Sequence, residues 1–99
     1  MYLDKYIKEI QALCQKNKVK TLFVFGSALT EGFNEKSDID LIVDFNTSDP
    51  LDYADNYFNL KFALQELFKR PIDLLESKAM KNPYISRNID NSKFLIYGV

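Results

Sequence analysis

The stretch that most constrains this chain is residues 38–45, Asp-Ile-Asp-Leu-Ile-Val-Asp-Phe. Ile39, Leu41, Val43 and Phe45 alternate with Asp38, Asp40, Ile42 and Asp44. Alternate side chains of a strand point to opposite faces, so this segment reads as a strand with one apolar face and one acidic face. A core must cover the first. On the second, the Cα atoms of Asp38 and Asp40 stand about 6.5–7 Å apart. Like charges held that close are unfavourable unless something positive lies between them.

The flanking segments supply layers for such a strand. Leu3, Ile7, Ile10 and Cys14 recur at helical spacing, which predicts a helix over residues 2–16 with Cys14 as a small core residue. Residues 17–20 read as a polar turn. Residues 21–25, Thr-Leu-Phe-Val-Phe, read as a buried strand that stops at Gly26. A short helix over 27–32 and a loop over 32–37 follow. Asp49 and Pro50 suit the cap and first residue of a helix over 51–69. Its stripe is Tyr53, Tyr57, Leu60, Leu64 and Leu67, widened by Phe58, Phe62 and Phe68. Residues 70–76 read as a third strand, with Pro71 near its start where a missing N–H is tolerated. Asn82 and Pro83 open a closing helix whose buried side is Ile85, Ile89, Ser92 and Ile96. The expected architecture is α/β, a small sheet flanked by helices, in a single domain over residues 1–99. Tyr2, Tyr6, Phe58 and Phe62 are candidates for an exposed patch, although core packing would absorb most such side chains.

Composition narrows the chemistry. The chain has no histidine and one cysteine, which removes Ser-His-Asp and Cys-His catalysis, His-ligated zinc and thiolate clusters. Thirteen basic residues against 14 acidic ones give a net charge of -1, a poor balance for gripping a long nucleic acid. No apolar run nears the roughly 20 residues that span a bilayer. The charged N-terminus does not read as a secretory signal. A lone cysteine suits a reducing compartment, so a cytoplasmic location is expected.

What remains is chemistry by carboxylates, hydroxyls, amines and hard cations. Two acids at i and i+2 can reach one divalent ion, or brace two ions about 3.5–4 Å apart. Magnesium takes oxygen ligands and fills its shell with water and substrate phosphates. A bare Asp-x-Asp also occurs at solvated strand starts. Gly26-Ser27, between a strand and a helix start, could present backbone N–H groups to an anion, or could be a plain capped turn. Asp73 lies opposite Ile72 and Leu74 in the third strand. It joins the first two acids if that strand pairs beside residues 38–45.

Taken together, strand–Gly26-Ser27, ten residues, Asp38-x-Asp40 on a strand, a helix, and Asp73 on a further strand resemble the DNA polymerase β-like nucleotidyltransferase superfamily. The similarity is to its smallest members, the minimal nucleotidyltransferases. It implies a mixed sheet of the polymerase β-like fold. It also implies that Gly26 and Ser27 hold a nucleotide triphosphate, and that Asp38, Asp40 and Asp73 bind two Mg2+ ions and carry the catalysis, with ATP as substrate. The implied reaction is transfer of AMP to a hydroxyl of a partner, a HEPN-type toxin for which this chain is the antitoxin. Two alternatives stand beside it: an antitoxin that neutralises its partner by contact alone, and nucleotidyl transfer to a small-molecule hydroxyl. The sequence departs from the group at Ala28-Leu29-Thr30-Glu31, where many relatives carry an arginine-rich phosphate clamp.

Overall fold

The structure is a computed structural model, which describes residues 2–26, 37–78 and 93–98. A 3-10 segment, Tyr2–Tyr6, leads into helix α1, Ile7–Lys16. Strand β1, Val19–Phe25, and strand β2, Ile39–Phe45, come next. Helix α2, Pro50–Phe68, strand β3, Ile72–Glu76, and strand β4, Phe94–Tyr97, complete the described elements. The sheet runs in the order β3-β2-β1-β4. β1 is antiparallel to both β2 and β4, whereas β2 and β3 are parallel. Parallel neighbours need a crossover, and α2 supplies it. The sheet is therefore mixed, as the resemblance implies.

The alternation in residues 38–45 decides where the core lies. Ile39, Leu41 and Val43 are at most 1% exposed. They join Leu22 and Val24 of β1, Leu74 of β3, Ile10 and Cys14 of α1, and Leu60 and Leu64 of α2 in one cluster. α2 starts where the sequence places it: the Asp49 carboxylate accepts from the Leu51 N–H at 3.1 Å, with Pro50 as the first residue. It ends at Lys69, whose φ of +53° is left-handed.

Several expectations need correction. The predicted helix over 2–16 begins with a 3-10 turn whose last residue, Tyr6, packs edge-on against Phe68 at 4.9 Å between centroids. The predicted turn over 17–20 is shorter, because Lys18 takes a left-handed φ of +58° and the chain is already extended at Val19. β3 begins at Ile72, so Arg70 and Pro71 lie before it. Residues 94–97 form a strand where a helix was predicted. Phe-Leu-Ile-Tyr followed by glycine suits an edge strand, and the free edge of β1 provides its partner. Ile96 is buried as predicted, but from a strand. Asn82, Pro83, Ile85, Ile89 and Ser92 lie outside the described residues. Phe58 and Phe62 do not widen the core stripe: they are 51% and 61% exposed and stack on each other. Asn56 takes a buried place instead, its side-chain amide donating to the Asp52 carbonyl at 2.8 Å.

Burial pushes the Cys14 thiol up to about 12, so almost none is thiolate at neutral pH. Native protein at pH 8 is therefore expected to resist iodoacetamide, and protein in concentrated urea to react fully. Mass spectrometry of the two samples checks this; rapid labelling of the native sample would contradict the packing described here.

Candidate active site

β2 divides two functions between its faces. Its apolar residues meet the helices, and its other face carries Asp40 and Asp44 with Ile42 between them. The parallel register sets Asp40 beside Asp73 and Ile42 beside Leu75. The antiparallel register sets Asp40 beside Phe25 and Ile42 beside Phe23. So two predicted site residues, Asp40 and Asp73, share one face on adjacent strands, which lie about 4.8 Å apart. Asp38 stands one residue before β2 rather than inside it.

Two contacts fix the start of this strand pair. The Ile39 N–H donates to the Pro71 carbonyl at 3.2 Å. The Arg70 guanidinium donates to the Ser37 carbonyl at 3.1 Å, tying the residue before Asp38 to the entrance of β3. A third contact comes from α2, where the Tyr57 hydroxyl donates to the Leu74 carbonyl at 2.6 Å. Burial raises the pKa of this phenol, and the charges of Glu76 and Asp73 add to the effect. The hydroxyl therefore keeps its proton and remains a donor.

Gly26 follows the last residue of β1 with a φ of +74°, a left-handed conformation. A Cβ on it would fall 2.6 Å from the Asp40 Oδ2. The position thus favours glycine twice, for its backbone angle and for the carboxylate packed against it, which a Cβ would push aside. The sequence suggested glycine for approach of a phosphate; the structure adds room for Asp40. Ser27 lies outside the described residues, as do residues 28–31 and Lys36.

Burial raises the Asp40 pKa first, and the charges of Asp73 and Asp38 raise it further. This places all three acids in one electrostatic neighbourhood. Among the described residues they do not close into a three-ligand metal cage. The donors nevertheless fit magnesium, which is commonly held by one or two carboxylates while water and phosphate complete its shell. A cation there would relieve the repulsion that Asp40 experiences.

Sequence reasoning missed the Arg70 and Tyr57 contacts. Arg70 gave only a charge before a strand, and the spacing of Tyr57 matched the core stripe. Neither pattern reveals a backbone carbonyl as the partner.

Comparisons with known proteins bear on the family and the fold. Residues 8–98 match the family model described as "Polymerase beta, Nucleotidyltransferase". The chain is 39% identical over 90 residues to "Putative protein adenylyltransferase MJ0128" of Methanocaldococcus jannaschii, covering 91% of this chain and 87% of that protein. It is 33% identical over 96 residues to "Putative protein adenylyltransferase MJ1379" of the same organism, covering 92% and 93%. Among solved structures, one described as a putative minimal nucleotidyltransferase superposes with a TM-score of 0.75 at 24% identity, over 94% of this chain and 91% of that one. A toxin-antitoxin crystal structure with AMP-PNP superposes with a TM-score of 0.71 at 20% identity, over 94% and 73%.

Burial, with the charges of Asp73 and Asp38 added to it, disfavours the charged form of Asp40 in the folded state, so the fold loses stability as pH rises through the carboxylate range. Asp40→Asn should therefore be more stable than wild type at pH 7, and this gain should shrink as pH falls through about 4 and be mostly gone by about pH 3, where Asp40 is largely protonated in both states. Gly26→Ala should lose about 1–2 kcal/mol through left-handed strain alone. Urea titrations at pH 7 and pH 3.5 measure both effects. A less stable Asp40→Asn protein at pH 7 would contradict the burial and repulsion described for Asp40.

Proposed function

The chain belongs to the polymerase beta nucleotidyltransferase family, and from that premise we propose that it moves AMP from ATP to a hydroxyl of a partner protein. The observation that carries the reading is the register of Asp40 with Asp73, on the sheet face away from the helices and against Gly26. Asp38, Asp40 and Asp73 are the residues to hold two magnesium ions, and Gly26 with Ser27 the turn that receives the triphosphate. Bound there, magnesium supplies the positive charge that makes a hydroxyl acidic and offsets charge on the leaving oxygen. The hydroxyl oxygen attacks the α-phosphorus of ATP. The bond from that phosphorus to the bridging oxygen breaks, and pyrophosphate leaves. Asp73 takes up the proton of the attacking hydroxyl. No histidine is required.

The protein acceptor follows from two kinds of support. The matched relatives carry the name "Putative protein adenylyltransferase", and solved neighbours are described as toxin-antitoxin structures. We assign the partner as a HEPN-type toxin, with this chain as its antitoxin in the cytoplasm. The contact-only alternative is separated from this reading by a double substitution.

The test incubates the pure protein with α-labelled ATP, magnesium and the product of the adjacent gene. Label should appear on that partner, disappear with EDTA, and disappear with Asp38→Asn/Asp40→Asn. If the partner binds but stays unlabelled, or if the double variant neutralises it as well as wild type does, transfer is not the function.

A further inference from the structure

We propose that Tyr57 is a positioning residue for Asp73, acting through the backbone of β3; the inference rests on the function proposed above. β3 ends the described order of the sheet and pairs with β2 on one side only. The Pro71 carbonyl points toward β2, because it accepts from the Ile39 N–H. Successive carbonyls of a strand alternate in direction, so the Asp73 carbonyl also faces β2 and the Leu74 carbonyl faces away. Leu74 is 3% exposed, so its outward carbonyl needs a partner from the protein. The Tyr57 hydroxyl is that partner, at 2.6 Å.

This contact sits one peptide from the Asp73 side chain. β3 has five residues, and a short strand paired on one side frays readily. Tyr57 reaches it from the third turn of α2, a helix anchored in the core by Tyr53, Leu60 and Leu64. The phenol thus transfers the rigidity of the helix to the strand and holds the Asp73 carboxylate level with Asp40. Removing a group that orients a metal-binding side chain commonly lowers metal affinity or activity by about 10-fold or more.

Tyr57→Phe keeps the ring and removes only the hydroxyl. Tyr53→Phe is the control. It removes a buried hydroxyl from the same helix that has no hydrogen-bond partner among the described residues, so it should change little. Three measurements apply. Mn2+ binding, followed by electron paramagnetic resonance on the protein alone, should weaken about 10-fold in Tyr57→Phe. Amide hydrogen exchange should quicken over residues 72–76 and not in β1. AMP transfer should lose kcat by about 10-fold while KM for ATP stays within about twofold. Wild-type Mn2+ affinity together with wild-type exchange in Tyr57→Phe would overturn the inference, even if the melting temperature falls. Equal losses in Tyr53→Phe would overturn it as well. Wild-type protein that binds Mn2+ but transfers no AMP would remove the proposed function, and the first two measurements would still decide the role of Tyr57.

Discussion

The partial burial of Asp40 beside Asp73 and Asp38 is the constraint around which the rest of the molecule is arranged. Burial and the fields of Asp73 and Asp38 make the charged form of Asp40 unfavourable. Folding tolerates this because the opposite face of the same strand buries Ile39, Leu41 and Val43 almost completely. Burying an aliphatic side chain contributes about 1.5–3 kcal/mol, so three of them outweigh repulsion between partly hydrated carboxylates. The strand that stabilises the fold is thus also the strand that sets Asp40 beside Asp73. Neither role can shift by one residue without exchanging the two faces.

Crossover topology turns this local pattern into a site. β2 enters α2 through the Asp49 cap and Pro50, and the helix returns the chain as a parallel neighbour. Parallel pairing is what places Asp73 level with Asp40. The same acids on an antiparallel hairpin would have required a different spacing. The carboxylate pair is therefore a consequence of chain direction as much as of residue choice.

Much of this was legible in the sequence because period-2 alternation and capping are local signals. The β2 faces, the α2 start and the face assignment of Asp73 could be read from neighbouring residues alone. β4 could not, because four residues of edge strand depend on a partner about 70 positions earlier, on β1. Phe58 and Phe62 read both as widening the core stripe and as candidates for an exposed patch, and they are exposed: a helix rich in aromatics does not disclose how much of its circumference the sheet can cover. Asn56 is buried because its amide finds the Asp52 carbonyl one turn back, a bond that hydrophobic periodicity does not represent. The contacts of Arg70 and Tyr57 end on backbone atoms, which every residue type possesses, so composition gives no hint of them.

The packing of Gly26 against Asp40 has an evolutionary consequence. The two positions are coupled by sterics: while the acid is present, any side chain at 26 must displace a carboxylate oxygen. A descendant that exchanged Asp40 for a smaller residue would lift that clash at once, leaving only the backbone angle to favour glycine. Drift at position 26 should then trail loss of the acid rather than precede it, so an intact glycine beside an altered position 40 would mark a lineage in which the acid was lost recently.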